Sequence, residues 1–172
     1  MTDYLRASRT SWRTRARNLS QTALNLLFPP VCAACGQEGP LLCPDCHQQV
    51  EWLAEPICER CGRSLPNTDD TFCISCRQQP LSANPIRTAV VFTGPVPDMI
   101  HQLKYNGMFG LAKPLADLMS EAWPRWEIMI DLVVAIPLHR QRQKDRGYNQ
   151  SDLLVKHFSQ RQKLTIGKNV LQ

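Results

Sequence analysis

The spacing of hydrophobic residues changes character several times along the chain of 172 residues. In residues 1–28 apolar side chains recur every three or four positions, from Trp12 through Leu19 to Leu26. This spacing predicts an amphipathic helix that ends before a pair of prolines. The stretch 31–80 has no such period and is divided instead by cysteines, prolines and glycines. Regular spacing resumes after it.

The C-terminal half alternates strand and helix patterns. IRTAVVFTG at 86–94 is rich in β-branched residues and predicts a strand, as does KLTI at 163–166. DLVVAIPL at 131–138 is a near-continuous apolar run, which predicts a strand buried on both faces of an α/β sheet. Three helices are also predicted. The first runs from Pro95 to Gly107, with Val96, Met99, Ile100 and Leu103 inward, and the second has Leu111, Leu115, Leu118, Met119 and Ala122 inward. The third is capped by Ser151 and carries Leu153, Leu154 and Phe158.

The patterns divide the chain into three parts: a basic, helical arm at 1–30, a cysteine-rich module at 31–80, and an α/β unit at 86–172. The formal net charge of +5 is unevenly spread. Residues 1–31 carry five arginines and one acid, whereas residues 32–80 carry three arginines and seven acids. The rest of the chain is basic again. The basic parts therefore flank an acidic middle.

No run of about 18 apolar residues occurs, so the sequence predicts no membrane span. The early apolar stretch ALNLLF is interrupted by Asn25 and is not followed by a small-residue cleavage site, which argues against a secretory signal. A cytoplasmic protein is therefore expected. Three roles stay open for the arm at 1–30: a solvated or docked helix, a contact with nucleic acid or an anionic surface, and an organelle presequence.

Four CxxC pairs form an internal repeat within the cysteine-rich module. Each pair fills half of a tetrahedral site, so four pairs predict two structural Zn²⁺ ions. Pairing in sequence order is favoured because both loops are short, although an interleaved arrangement stays open. Sequence order assigns one ion to Cys32, Cys35, Cys43 and Cys46 and the other to Cys58, Cys61, Cys73 and Cys76.

Other roles for the cysteines fit less well. A thioredoxin-like dithiol needs one exposed CxxC at a helix start within a βαβ unit, a context that these pairs lack. Iron in a four-sulfur site stays open. His47 is interpreted as a surface residue rather than a ligand. Because the module is acidic, any contact with nucleic acid is expected through the arm or the C-terminal half.

A dense basic segment follows the predicted strand at 131–138. Residues 137–154 read PLHRQRQKDRGYNQSDLL, and four cations lie within seven residues of this segment. The edge of an α/β sheet beyond its strand ends is where ligands bind. Glycine at 147 and a helix start nearby would favour a phosphate or pyrophosphate ligand. The alternative is a solvated basic loop.

The order of these motifs resembles the ComF/GntX family. The resemblance runs from Cys32 to Phe158 and rests on the four CxxC pairs, the block AVVFTGPVPDMIHQLKYNG and the block VVAIPLHRQRQKDRGYNQSDLL, with RGYNQS the most specific part. Its members join a zinc ribbon to a type I phosphoribosyltransferase domain, so the implied fold is α/β: a double zinc ribbon followed by a Rossmann-like domain. The resemblance also implies linkage to DNA uptake in competent bacteria, with single-stranded DNA or competence proteins as partners.

The resemblance implies a ligand and its site. Phosphoribosyl pyrophosphate, with Mg²⁺ bridging its diphosphate and ribose oxygens, would bind through the loop 139–150. The role of Lys104 and Tyr105 in the LKYNG block is left open. Pyrophosphate contacts would fall on Arg140, Lys144, Arg146 and Gly147.

One motif of similar transferases is missing from this sequence. They carry a later buried strand that ends in two acidic residues and a Thr/Gly-rich turn, and nothing after Leu164 matches it. Asp69 and Asp70 precede Thr71 but lie between cysteine pairs and are interpreted as a turn. An incomplete transferase domain without turnover is therefore expected, from truncation, a fragment or a second chain. The competing interpretations are a zinc-ribbon adaptor that binds nucleic acid without catalysis, and a redox protein.

Overall fold

The structure, a computed structural model, describes residues 29–79, 85–126, 128–168, 170 and 171. The predicted arm helix lies outside these residues. Among the helices described, even the longest, with 13 residues, is too short to cross a lipid bilayer. The helices are α1 Pro44–Gln48, α2 Ile74–Gln78, α3 Val96–Tyr105, α4 Ala112–Ala122, α5 Arg140–Arg146 and α6 Gln150–Gln162, with short 3₁₀ helices at Phe109–Leu111 and Trp123–Trp126 and strands β1 Leu132–Val134 and β2 Thr165–Gly167.

The cysteine-rich module repeats one backbone arrangement twice. An isolated antiparallel bridge joins the residue before the first CxxC to a residue just after it, Val31 to Glu38, and the equivalent bridge joins Ile57 to Ser64. In each repeat the second CxxC starts a short helix, α1 or α2. The internal repeat read from the sequence is therefore confirmed in the backbone.

Glycine closes the first turn of each repeat. Gly36 and Gly62 have φ values of 74° and 69°, in the left-handed region that glycine adopts without a steric penalty. The N–H of each donates to the carbonyl of the first cysteine of its turn, Cys32 or Cys58, at 2.9 Å. A Cβ on Gly62 would lie 2.7 Å from the carbonyl oxygen of Ile86, so this second turn also needs glycine for space.

Helices α3 and α4 form the core of the C-terminal unit, as predicted. Val96, Met99 and Leu103 of α3 are buried, and so are Leu115 and Leu118 of α4. The chain leaves α3 through Asn106 and Gly107, close to the predicted end. Helix α4 packs along α6, and α6 contacts both strands. The helices therefore connect the first half of the unit to its small sheet.

The sheet consists of β1 and β2 in the described part of the chain. They pair in parallel, with Leu132 opposite Thr165 and Val134 opposite Gly167. Parallel neighbours need a crossover, which α5 and α6 supply. The prediction that the first of these strands is buried on both faces is wrong for the described residues, since Leu132 is 45% exposed and Ile136 just beyond it is 72% exposed. Helix α6 packs against both strands and so shields one face of the sheet from solvent.

The predicted strand at 86–94 is also wrong. Within it the structure forms one isolated bridge, from Val90 to Trp52, and Val91 N–H donates to the carbonyl of Glu51 at 2.8 Å. Ile86 N–H donates instead to the carbonyl of Arg60. The backbone donors of this segment are thus divided between two points of the cysteine-rich module, which prevents a continuous ladder.

The cap of α6 is Asn149 rather than the predicted Ser151. Its side-chain oxygen accepts a hydrogen bond from the N–H of Ser151 at 3.0 Å, and its amide nitrogen donates to the carbonyl of Ile136 at 3.0 Å. Asn149 is buried, whereas Ser151 contributes its backbone N–H to the cap. Asparagine is as good an N-cap as serine, and its second polar group adds the contact across α5.

Replacing Asn149 by alanine is expected to lower the free energy of unfolding by about 1–3 kcal/mol, because both the cap and the partner of a part-buried carbonyl are lost. Denaturant unfolding followed by circular dichroism measures this change. Ser151→Ala is the matched control and should stay within about 0.5 kcal/mol of the parent protein. Equal losses in the two variants would contradict the assignment of the cap.

Candidate metal centres and cationic cavity

The eight cysteines lie in two groups of four. Within each group the sulfur atoms all lie within 4.8 Å of one another. Of the two pairings that the sequence left open, the structure has the one in sequence order. His47 belongs to neither group; it is half-buried and its Nε2 lies 3.4 Å from Glu121. The groups are Cys32, Cys35, Cys43 and Cys46, here called site 1, and Cys58, Cys61, Cys73 and Cys76, here called site 2.

The spacing of the sulfurs fits zinc. A tetrahedral ion with Zn–S bonds of about 2.3 Å places its sulfurs roughly 3.8 Å apart. Cys35 Sγ and Cys43 Sγ are 3.7 Å apart in site 1, and Cys61 Sγ and Cys73 Sγ are also 3.7 Å apart in site 2. Four thiolates leave no coordination position open for a substrate, so both sites have the composition of structural zinc sites.

Backbone donors favour the thiolate form of at least one cysteine in each site. Burial opposes ionisation of Cys32 and Cys58, but backbone N–H groups that point at each sulfur outweigh it and lower the pKa of both thiols from 9.0 to about 6. Burial and then the neighbouring sulfurs raise the pKa of Cys46, and they raise that of Cys76 to about 12. Once one thiol of a crowded group is charged, the next proton is held more tightly. A divalent cation removes that repulsion and favours all four thiolates.

The basic segment after β1 is a helix rather than the predicted loop. The Nδ1 of His139 caps it by accepting a hydrogen bond from the N–H of Gln141 at 3.3 Å. Gly147 ends it in the left-handed conformation, with φ of 79°, and its N–H donates to the carbonyl of Gln143 at 2.8 Å. This N–H group is therefore already used in ending the helix.

A cavity of about 390 Å³ lies between the end of α3 and helix α5. Lys104 and Tyr105 come from α3, while Arg142, Asp145 and Arg146 come from α5. Three cations face one carboxylate there, which favours an anionic ligand. The complete lining is Lys104, Tyr105, Gly107, Arg142, Asp145, Arg146 and Tyr148.

Two side-chain contacts hold the guanidinium of Arg146 in position at this cavity. The guanidinium donates to the side chain of Gln150 and lies over the ring of Tyr105, 5.4 Å from the ring centre. Asp145 accepts a hydrogen bond from Gln141 at 2.9 Å. The guanidinium of Arg146 is therefore oriented before any ligand arrives, which lowers the entropy lost on binding.

Tyr148 joins the cavity to the core. Its hydroxyl donates to the carbonyl of Leu103, and its ring makes an edge contact with Phe109 at 4.5 Å. Burial raises the pKa of Tyr148, while the nearby Arg146 charge acts in the opposite direction. In the sequence RGYNQ, Arg146 lines the cavity, Gly147 ends α5, Tyr148 anchors the turn to α3, and Asn149 caps α6. The motif is thus a rigid connector as well as a source of charge.

Of the four residues that the family resemblance assigned to pyrophosphate, one lines the cationic cavity. Arg146 lines the cavity, whereas Arg140, Lys144 and Gly147 do not. Arg142 was not assigned a role from the resemblance, and Lys104 was left open. Because the sequence predicted a loop here, the helical spacing of this segment was missed. Residues four apart lie on the same face of a helix, so α5 places Arg142 beside Arg146.

A second cavity of about 630 Å³ lies beyond the carboxyl ends of β1 and β2. Its lining is mostly apolar, from Val134 and Leu138 to Val170 and Leu171. The acidic pair of Asp69 and Asp70 lies far along the chain from both cavities, in the predicted turn, where Asp70 pairs with Arg77.

Comparison with known proteins agrees with the geometry of the cysteines. Residues 23–77 match the family described as a double zinc ribbon domain. The chain is similar to DNA utilization protein YhgH of Escherichia coli (strain K12), with 29% identity over 144 residues that cover 78% of this chain and 62% of that protein. It is also 28% identical to Competence protein F of Haemophilus influenzae over 69% of this chain and 52% of that protein.

A third relative is Competence protein ComFC of Streptococcus pneumoniae, 28% identical over 66% of this chain and 50% of that protein. The chain thus spans between about half and 62% of the length of these three relatives. No solved structure matches the chain.

Proposed function

Because this chain belongs to the ComF family, we propose that it binds a phosphate-bearing ligand of the phosphoribosyl pyrophosphate type in the cavity between α3 and α5. The observation that carries the proposal is the meeting of Lys104 with Arg142 and Arg146, since two sequence-distant segments contribute cations to one cavity. These are the segments LKYNG and RQRQKDRGYNQS on which the family resemblance rests.

The backbone supports a phosphoribosyltransferase-like assignment for residues 86–172. Two parallel strands joined by a helical crossover form the basic unit of such α/β domains, and α5 follows directly after the carboxyl end of β1. In this fold the anionic ligand binds at that edge of the sheet. The proposal places the diphosphate beside that edge, against α5 and the end of α3, rather than in the mostly apolar cavity at the strand ends, because the cations line the former.

The three cations of the cavity would act on the ligand electrostatically. A diphosphate held between Lys104, Arg142 and Arg146 would have its negative charge neutralised by groups that are already in place, which favours its binding. Asp145 supplies a carboxylate oxygen at the same cavity, the kind of ligand that Mg²⁺ prefers. Asp145 would help to hold Mg²⁺, which would supply positive charge to the bound diphosphate. Transfer is not included in the proposal for residues 1–172, since their sequence has no acidic pair with a Thr/Gly-rich turn after a buried strand.

The test uses two double variants with the same change of charge. Arg142→Glu with Arg146→Glu reverses the cavity face of α5, and Arg140→Glu with Lys144→Glu reverses charges outside the cavity. Isothermal titration calorimetry with pyrophosphate and with phosphoribosyl pyrophosphate, each with Mg²⁺, measures affinity. The first variant is expected to lose at least about 100-fold, because charge-assisted contacts are worth roughly 1.5–3 kcal/mol each. The second should stay within about threefold.

Two results would contradict the proposal: no binding by the parent protein, or equal losses in the two double variants. Circular dichroism checks that both variants remain folded, since Arg146 also contacts Gln150 and Tyr105. Equal losses would mean that affinity depends on the total positive charge of α5 rather than on contacts in the cavity.

A second candidate is binding of single-stranded DNA on the same face. Tyr105 is 66% exposed and Phe109 is 52% exposed beside the cations, and aromatic rings flanked by basic groups stack bases without sequence preference. The names of the relatives, a DNA utilization protein and competence proteins, favour testing it. In this case a fluorescent oligo(dT) should bind with a steep salt dependence, and Tyr105→Ala should lower its affinity by a larger factor than it lowers pyrophosphate affinity.

A further inference from the structure

The two cysteine sites share one local geometry but differ in what surrounds them. Site 2 is packed within its own repeat: Cys58, Cys76 and Leu65 form a separate buried cluster, joined by Phe72. Outward hydrogen bonds of this repeat run to the segment after it, where Arg87 donates to the carbonyl of Glu59 at 2.7 Å, and to the segment before it, where the Ser64 hydroxyl donates to the carbonyl of Ala54 at 3.1 Å. Nothing in these contacts reaches α3, α5 or the cavity.

Site 1 is part of the helical core. Ala33, between the first two cysteines, is 8% exposed and belongs to the cluster of buried residues that includes Met99, Leu103 and Leu111. Leu41 and Leu42, just before the next cysteine pair, pack against the same cluster. The turn that holds two zinc ligands is therefore packed directly against α3.

A hydrogen bond fixes this contact. The side-chain amide of Gln102 donates to the carbonyl of Ala33 at 2.5 Å. In addition, Ala33 N–H donates to the carbonyl of Leu41 at 2.9 Å, which ties the two halves of site 1 together. If the cysteine turn rearranged on metal loss, the carbonyl that Gln102 contacts would move with it.

The same turn of α3 builds the cavity. Gln102 is followed by Leu103, whose carbonyl accepts the hydroxyl of Tyr148, and then by Lys104 and Tyr105, which line the cavity. Tyr148 also packs against the cluster that contains Ala33. A short, continuous series of contacts thus runs from the ligands of site 1 to the lining of the cavity.

We propose that zinc in site 1, and not zinc in site 2, sets the affinity of the cavity for its anionic ligand, with Gln102 as the positioning residue between them. The inference rests on the proposed function, since it concerns the same cavity. Coupling between two sites is reciprocal: if zinc in site 1 strengthens binding of the anion, the anion must strengthen retention of zinc in site 1 by the same factor.

Reciprocity gives a test that does not depend on turnover. Zinc affinity is measured by competition at equilibrium with a chromogenic chelator, with and without saturating pyrophosphate. The parent protein should hold about two zinc ions per chain, and pyrophosphate should tighten the binding of one of them by at least about fivefold, the lower end of usual coupling strengths. The affinity for the other ion should not change.

Two variants assign the ions to their sites. Cys58→Ser with Cys61→Ser removes two ligands of site 2, which the surrounding contacts show to be separate from the core; its remaining zinc should still be protected by pyrophosphate. Gln102→Leu should keep both zinc ions and a folded core, but pyrophosphate should protect neither ion and should bind at least about fivefold more weakly. A purely structural role of Gln102 would lower stability without removing this protection.

The possible failures can be told apart. If calorimetry shows no pyrophosphate binding to the parent protein, the proposed function fails and takes this inference with it. If pyrophosphate binds but leaves the zinc affinity of the site 2 variant unchanged, the coupling is overturned while the proposed function stands. Direct extraction of zinc by pyrophosphate would weaken zinc binding at both sites and would persist in the Arg142→Glu, Arg146→Glu variant, and this result would also overturn the coupling.

Discussion

Removal of both zinc ions with a strong chelator is expected to unfold α3 and α4 together with the cysteine-rich module. The apparent free energy of structural zinc is about 10–16 kcal/mol in small zinc fingers, comparable with the whole stability of a typical domain, about 5–15 kcal/mol. Ala33, in the turn between the first two cysteines of site 1, is buried in the same cluster as Met99 and Leu111, so this turn cannot unfold without opening that cluster. Hydrogen exchange measured by mass spectrometry should show loss of amide protection in both helices.

Zinc addition at neutral pH should restore the protection, which distinguishes reversible unfolding from aggregation. The matched control is the variant that lacks only site 2, Cys58→Ser with Cys61→Ser. It should lose protection in residues 57–79 and keep it in α3 and α4. Helices that stay protected in the metal-free parent protein would contradict the prediction and would show that the core does not depend on site 1.

Met99→Ala is expected to lower the free energy of unfolding by about 2–5 kcal/mol, the usual cost of a large-to-small change in a packed core. Met99 is 0% exposed and lies at the centre of α3, against Ala33 on one side and residues of α4 on the other. Truncation leaves a cavity at the junction of the cysteine-rich module and the helices. Denaturant unfolding with zinc present measures the loss.

Met129→Ala is the control for this substitution, since Met129 is 99% exposed. It should change stability by less than about 0.5 kcal/mol. A small effect at both positions would mean that the junction is loosely packed, and the coupling between site 1 and the cavity would lose its physical basis.

The cysteine sites were the most predictable part of the structure. A CxxC pair has one strong physical requirement, four sulfurs around one ion, and short loops favour closure between neighbouring pairs. The inward residues of α3 were also well predicted, because Val96, Met99 and Leu103 follow helical spacing and each is buried. In both cases a local pattern determines the local structure.

Predictions failed where tertiary contacts outweighed local signals. Residues 140–146 are polar on every side, so their sequence has no hydrophobic period that would indicate helix α5. In 86–94 the residues favour a strand, but their backbone partners are single residues of the cysteine-rich module, Trp52 among them. Asn149 and Ser151 are both good caps, and the choice depends on the carbonyl of Ile136, which sequence alone does not place nearby. The cavity itself needs α3 and α5 to meet, which no local pattern encodes.

The hydrogen bond between Asn149 and the carbonyl of Ile136 closes the chain around α5 into a ring of fixed length. One residue inserted or deleted inside that ring would rotate the helix by about 100° and turn its two inward arginines away from Lys104. Changes of length on either side of the ring leave the rotation of the helix unaltered. We therefore expect that natural variation in loop length is compatible with the proposed ligand binding before Ile136 or after Asn149, and incompatible with it between them.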